Sequence, residues 1–186
     1  MLDMPRERLT LDRIKTPLGQ ALLITDAEHR LRALDWEDHA PRMQHLLRLH
    51  YRSSMSLAPG RAPQGMRQAL DAYFAGDLER LHGIECHTGG TPFQRAVWAA
   101  LRTIPPGRTM SYGALAAALR VPKAVRAVGL ANGANPISVV VPCHRVIGAN
   151  GSLTGYGGGL ARKRWLLAHE GASFTDRVGA IPPLRF

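Results

Sequence analysis

The stretch Asn135-Pro136-Ile137-Ser138-Val139-Val140-Val141-Pro142-Cys143-His144-Arg145-Val146 joins an apolar run to a reactive side chain. Ile137 to Val141 is rich in β-branched residues, which favour extended backbone, and predicts a short buried strand or extended segment. Pro142 lacks an amide hydrogen and stops it. Cys143 follows directly, beside His144 and Arg145. A thiol just past an apolar run and next to two basic side chains has surroundings that favour the thiolate. From spacing alone, an inert buried cysteine and a satisfied core histidine fit the same residues. The other cysteine, Cys86, lies beside His87 with no further cysteine near enough for a ligand set, and reads as a bystander.

Working back towards the N-terminus, Ser111 is a helix cap, with Leu115, Ala118 and Leu119 facing inward. Arg120-Val121-Pro122 is a tight turn, and Lys123 to Asn132 reads as a further helix. Two short helices across a three-residue break suggest a helix-turn-helix. Ala124, Ala127 and Ala131 give the second helix a small-residue face that would let its backbone approach a groove. Lys123 and Arg126 sit where a recognition helix meets a duplex; an ordinary surface arginine is the plain alternative for Arg126. Gly129 inside this helix costs about 1 kcal/mol relative to alanine, which close packing against the cysteine segment would explain. Earlier still, Thr91 is an N-cap followed by Pro92 at the first helical position. Phe93, Val97, Trp98 and Leu101 form its core stripe, and Ile104-Pro105-Pro106-Gly107 ends it.

The first half has a different texture. Leu9 to Lys15, Ala21 to Thr25 and Leu31 to Trp36 read as three short strands, with Thr16-Pro17-Leu18-Gly19 as a turn. They predict an antiparallel meander. Pro41 to Tyr51 and Gln64 to Phe74 have helical spacing, and Ser53 to Pro63 reads as a loop. The expected class is α+β: a small antiparallel sheet with helices over residues 1–82, a linker over 83–90, a mainly helical domain over 91–173, and a tail over 174–186.

Composition limits the function. The chain has 186 residues, 45% hydrophobic and 20% charged, which are ordinary globular values. Two cysteines exclude a disulfide framework and a cysteine-rich zinc module. No apolar stretch is long enough to span a membrane, and residues 1–8 lack a signal core, so an intracellular, cytoplasmic protein is expected. The net charge of +10 is unevenly placed. Residues 1–90 hold twelve bases and twelve acids, whereas residues 91–173 hold ten bases and one acid, Glu170. A GC-rich genome explains arginine over lysine, but not the missing acids. A polyanion such as nucleic acid is the expected partner of the second half.

These residues resemble the O6-alkylguanine-DNA alkyltransferases. Pro142-Cys143-His144-Arg145-Val146, preceded by Asn135-Pro136, is similar to that family's active-site signature. In order and spacing, so are Thr91-Pro92-Phe93-Gln94, Val97-Trp98, Ser111-Tyr112-Gly113, Arg126-Ala127-Val128-Gly129 and Gly155-Tyr156 with Gly158-Gly159. Lys163 with Trp165-Leu166-Leu167, followed by His169-Glu170-Gly171, completes the match over residues 91–171. Residues 9–75 resemble the family's ribonuclease H-like N-terminal domain more loosely. Length and turn motifs are most like its bacterial constitutive members.

The resemblance implies direct reversal of DNA damage: one-turnover transfer of an alkyl group from guanine O6, with O4-alkylthymine a second candidate, to the Cys143 thiolate. It assigns His144 as a base acting through water and Glu170 as the carboxylate orienting it. Tyr112 becomes the proton donor to the leaving base, and Asn135 a brace for the cysteine turn. Arg126 would fill the space left by a flipped base as its helix enters the minor groove, with Lys123, Ala124, Ala127, Ala131 and Arg145 at the DNA and Lys163 among the phosphate-binding cations. Tyr112, Val146, Tyr156, Gly157 and Gly158 would form the base pocket; Gly157 stands where some members carry serine. No metal or cofactor is implied. The expected partner is double-stranded DNA, bound without sequence preference by a monomer, with cooperative binding along DNA compatible. Three rivals differ in class. One is a non-catalytic, alkyltransferase-like damage-binding protein, which would lack the cysteine. Another is a helix-turn-helix regulator, which would need a cysteine-rich module. The third is a cysteine hydrolase, which would need an oxyanion hole.

Overall fold

The first unit of the chain is organised by β1 (Glu7–Thr16), β2 (Gly19–Thr25) and β3 (Leu31–Trp36), the meander expected from their patterning. The computed structural model describes residues 7–51 and 55–175. It divides the chain into Met1–Gly90 and Thr91–Phe186. In β2 Ala21 to Thr25 are buried, and β3 is buried along its whole length, including Arg32 and Asp35, which pair with Asp26 and Arg42. Helix α1 (Ala40–Tyr51) packs Met43, Leu47 and Tyr51 against Leu9, Leu22, Ile24 and Ala33.

A fourth strand, β4 (Met55–Pro59), lies within the stretch expected to be a loop. It pairs parallel with β1, so the sheet is mixed, in the order β3-β2-β1-β4. Its sequence hides it because an edge strand needs only one ladder: its residues are mostly exposed, and Pro59 is tolerated at its end. Helix α2 (Gln64–Phe74) buries Met66, Ala69, Leu70 and Tyr73. The expected linker belongs to this unit, because the Leu31 amide donates to the Glu85 carbonyl (2.9 Å) and the His87 amide to the Leu31 carbonyl (3.0 Å).

The second unit is mainly helical. Helix α3 (Pro92–Leu101) opens on a reciprocal cap: the Thr91 side chain accepts from the Gln94 amide, and the Gln94 side chain from the Thr91 amide. Val97, Trp98 and Leu101 are its buried face. Strand β5 (Met110–Ser111) leads into α4 (Tyr112–Ala118), where Ser111 accepts from the Ala114 amide. Leu115 and Ala116 are buried; Ala118, expected inward, is exposed. Helix α5 (Val125–Gly133) starts two residues later than its composition suggests, because residues 121–124 close a separate turn, the Ala124 amide donating to the Val121 carbonyl (2.8 Å), and Ala124 takes the cap position. The tail's first residues, Phe174 and Thr175, are part of this unit. Phe174 packs on Ile147, Leu153, Leu167 and Ala172, and the Thr175 amide donates to the Gly151 carbonyl. The rest of the expected tail, 176–186, lies outside the described residues. Among the described residues no helix is long and apolar enough to cross a membrane.

Candidate active site

Cys143 begins a single 3-10 turn, Cys143–Arg145, that leads into β6 (Val146–Ile147). The run before it is not a strand. The Val141 amide donates to the Ile137 carbonyl (3.1 Å) and the Cys143 amide to the Val141 carbonyl (2.8 Å), so the backbone folds on itself. Val139 has φ of +70°, a region that β-branched residues rarely enter, at a cost of about 1–3 kcal/mol. Asn135 is what overrides the extended preference. Its Oδ1 accepts from the Ile137 amide (3.0 Å), and its Nδ2 donates to the Val141 carbonyl (2.8 Å) and to Cys143 Sγ (3.1 Å). The same buried amide thus winds the turn and places a donor on the sulfur. Such a donor favours a developing thiolate over a neutral thiol.

Behind the cysteine stands a buried charge cluster. His144 Nε2 lies 2.9 Å from Glu170 Oε1. Arg145 donates from Nε to Glu170 Oε2 (2.9 Å) and from Nη2 to Oε1 (2.8 Å), the bidentate geometry of a guanidinium on a carboxylate. Burial pushes the Glu170 carboxyl up, but His144 and Arg145 outweigh it and hold it well below the ordinary carboxylate range. Burial holds the His144 imidazole below its usual value, against the pull of Glu170, so it is neutral at pH 7. Glu170 accepts and cannot donate, so Nε2 carries the imidazole hydrogen and Nδ1 keeps a lone pair. Among the described residues, nothing is hydrogen-bonded to Nδ1.

Tyr112 reaches the site through β5, which pairs parallel with β6: Met110 opposite Val146, Ser111 opposite Ile147. The first residue of α4 is thereby fixed against the strand that leaves the cysteine turn. Thr154 Oγ1 donates to the Tyr112 hydroxyl (3.2 Å), which leaves the phenol's own hydrogen to point elsewhere. Burial raises the Tyr112 pKa, so it is a phenol at neutral pH. Lys163 ties the 154–155 loop to the same strand: Nζ donates to the carbonyls of Val146 (2.6 Å), Thr154 (2.8 Å) and Gly155 (3.5 Å). Burial brings its pKa down to about 8, so it remains an ammonium at neutral pH.

Between α5 and this loop lies a cavity of about 600 Å³, lined by Tyr112, Arg126, Asn132, Tyr156 and Gly157 among others. Val146 and Gly158, expected in the pocket, are buried off its wall; the Gly158 carbonyl accepts from Arg162. Arg126, Lys123 and Ala127 are exposed, and Ala124 is half-buried at the helix cap. Three expected DNA contacts are corrected. Ala131 is buried, its carbonyl accepting from Trp98 Nε1 (2.8 Å), because it lies on the inner face of α5 with Val128. Arg145 is buried on Glu170, and Lys163 is enclosed among carbonyls. Gly129 lines the cavity, but a Cβ there would lie 3.7 Å from the Tyr112 ring, an ordinary contact, so packing does not require glycine. Sequence reasoning overlooked Asn132 and the exposed apolar residues Val125 and Leu130, which also line the cavity. Leu130, 72% exposed, lies four residues beyond Arg126 on the same helix, a spacing that was visible in the sequence. Among the described residues no group of three or more metal-ligating side chains is assembled.

Two domain families match the chain: the DNA binding domain of 6-O-methylguanine DNA methyltransferase over residues 92–172, and the ribonuclease-like domain of the same enzyme over residues 11–85. A methylated-DNA--protein-cysteine methyltransferase of Salmonella typhimurium is 56% identical over 165 residues, which is 88% of this chain and 96% of that protein. The crystal structure of Mycobacterium tuberculosis OGT in complex with DNA aligns with a TM-score of 0.72 at 42% identity, over 88% of this chain and 92% of that one. The O6-methylguanine-DNA methyltransferase of the archaeon Pyrococcus kodakaraensis aligns with a TM-score of 0.65 at 25% identity, over 88% and 99% of the two chains. Both halves of the chain and nearly the full length of its relatives agree, and the chain belongs to the methylated-DNA--protein-cysteine methyltransferase family.

Proposed function

We propose that this protein repairs DNA by moving an alkyl group from O6 of guanine to Cys143. The observation that carries the reading is a buried thiol with an amide donor on its sulfur, followed in sequence by an imidazole fixed to a buried carboxylate. The thiol proton passes through a water to His144 Nδ1, which holds the lone pair because Glu170 binds the other nitrogen. The sulfur attacks the saturated carbon in line, the carbon–sulfur bond forms as the carbon–oxygen bond breaks, and the electron pair leaves with the base. Tyr112 donates a proton to that leaving base, which neutralises it. Arg145 holds Glu170 ionised, and is a positioning residue rather than a phosphate ligand.

Guanine O6 is inside a duplex, so the base must leave the stack to meet a thiol that is 4% exposed. The cavity beside α5 suits a flipped base, and Arg126 at its rim suits the space left in the helix. The exposed cations Arg95, Arg108, Arg120 and Lys123 suit phosphate contacts that carry no sequence preference. A narrow minor groove suits the exposed side of α5, where Ala127 and Gly133 are small and Val125 and Leu130 offer apolar contacts beside the arginine. The product is a thioether, which neither an imidazole nor a phenol cleaves, so each molecule reacts once.

Intact mass after mixing with a duplex carrying one O6-methylguanine tests the reading. One methyl group on Cys143, with stoichiometric loss of the lesion, is expected. Tight lesion binding with no change of mass would turn the reading into a damage-binding protein. Continued turnover by unmodified protein would overturn the mechanism.

A further inference from the structure

Thr154 is an exposed residue that the fold nevertheless holds in place. Its neighbour Leu153 is buried with Ile147 and Leu167. Its carbonyl accepts from the buried ammonium of Lys163 (2.8 Å), which also binds the carbonyls of Val146 and Gly155. From that fixed backbone Oγ1 donates to the Tyr112 hydroxyl at 3.2 Å, and both residues line the cavity beside α5. A phenol oxygen accepts one hydrogen while donating its own. Because Thr154 supplies the accepted hydrogen, the Tyr112 hydrogen is left for a ligand in the cavity.

The same bond bears on the chemical step. As Tyr112 gives its proton to the leaving base, negative charge grows on the phenol oxygen. A hydrogen bond donated to that oxygen favours the charged form, and opposes the burial that disfavours it. The bond is therefore stronger in the transition state than before it, and raises the rate of reaction rather than the affinity for DNA. Water competes for an exposed hydroxyl, but a base that fills the cavity takes that water away. The geometry points to Thr154 as a positioning residue that acts through Tyr112, turning the phenol's hydrogen to the cavity and stabilising charge on its oxygen as the base departs. The proton goes from Tyr112 to the base, and water later restores the phenol; Thr154 neither gains nor loses one. This rests on the alkyl-transfer reading of the same site.

The test pairs two methyl donors, both read by peptide mass at Cys143. O6-methylguanine in a duplex needs a proton on its leaving group, whereas methyl iodide does not, since iodide leaves as a stable anion. T154V removes the hydroxyl and keeps the β-branched shape. It is expected to slow single-turnover methylation by the duplex about five- to twentyfold at saturating DNA, and to leave the half-saturating DNA concentration unchanged. Methylation by methyl iodide should stay within about twofold of wild type. T154S, which keeps the hydroxyl, should restore the duplex rate, and T154V should have no further effect when added to Y112F, where no phenol oxygen remains to accept. Equal slowing with both donors would mean that the side chain only shapes the loop, and would overturn the inference. An undiminished duplex rate in T154V, a T154S that fails to rescue, or a T154V effect that persists in Y112F would each overturn it too. Should T154V not fold, T154A carries the same comparison. A wild-type protein that methyl iodide labels at Cys143 and O6-methylguanine does not would sink the alkyl-transfer reading itself, which is told apart because no variant is involved.

Discussion

Replacing Glu170 with glutamine isolates the buried charge cluster with almost no change of shape. The carboxylate accepts three hydrogen bonds, one from His144 Nε2 at 2.9 Å and two from Arg145 at 2.9 and 2.8 Å. A glutamine keeps one oxygen and sets an NH2 group against a second donor. At least one donor is stranded, and the buried Arg145 loses its countercharge. Removing one partner of a buried ion pair costs about 3–5 kcal/mol, because the remaining charge is left in a poorly polarisable medium. At roughly 2–4 °C per kcal/mol for a chain of this size, E170Q should melt about 6–20 °C lower by calorimetry at pH 7.

The pH dependence gives a sharper check. The folded-state pKa of Glu170 lies well below its ordinary value of 4.5. Below that ordinary value, the unfolded chain therefore binds a proton that the folded chain refuses. The carboxylate's contribution to stability is complete above about pH 5 and is lost as pH falls towards the folded pKa. The melting gap between wild type and E170Q should shrink from about pH 5 towards pH 3. The double variant R145M/E170Q should regain much of the stability, since the stranded charge is gone, while alkyl transfer stays lost. A gap that holds constant down to pH 3, or a pH 7 shift under about 3 °C, would refute a stabilising role for the ion pair.

Tyr112→Phe should slow methylation of Cys143 about a hundredfold, the ordinary contribution of a positioned proton donor. It should barely change the melting temperature, because Thr154, which donates to the hydroxyl, is itself exposed. Arg126→Ala should weaken repair of duplex DNA far more than reaction with free O6-benzylguanine; equal losses would argue against a role in base flipping. Gly129→Ala should stabilise α5 by up to about 1 kcal/mol, seen as a rise of roughly 2–4 °C, since the added methyl meets Tyr112 only at ordinary contact distance. Gly157→Ser should slow transfer from O6-benzylguanine more than from O6-methylguanine if the glycine enlarges the cavity wall; equal effects on both would sink that idea.

Local chemistry was legible wherever a residue acts on its own neighbours. Thr91 and Ser111 cap the helices they precede because a side-chain oxygen meets an amide three residues on, and that geometry needs nothing from the rest of the fold. The three meander strands were legible for the same reason. Two other features were not. Strand β4 depends on a ladder offered by β1, more than forty residues away along the chain, and its own Met55–Pro59 sequence has neither alternation nor burial to announce it. The run Ile137–Val141 has every local sign of a strand, yet one side chain, Asn135, takes its carbonyls and amides into a turn. The site departs from local preference at the residue pair that sets the sulfur, where backbone strain at Val139 is held by that amide.

The second unit's charge shows how a correct total can conceal its division. The excess of arginine and lysine over acids in residues 91–173 pointed to a polyanion, and Arg95, Arg108, Arg120, Lys123 and Arg126 are indeed exposed. Arg145, Arg162 and Lys163 are cations of the same region with a different task. Each is buried and hydrogen-bonded to a carboxylate or to backbone carbonyls at the site. A cation shut away from water needs acceptors, and a loop that passes close to a catalytic turn has carbonyls that no helix or sheet uses. Lys163 joins these two needs: its ammonium donates to the carbonyls of Val146, Thr154 and Gly155, and so ties down the loop that carries Tyr156 and Gly157 to the cavity. Glu170, the sole acid of residues 91–173, is the counterpart for Arg145 and His144 together. Had it been on the surface, it would have weakened attraction for a polyanion; buried, it orders the imidazole while the exterior stays positive. The scarcity of acids and the position of this one are therefore a single electrostatic arrangement, in which the interior is neutralised in place and the exterior keeps its positive charge.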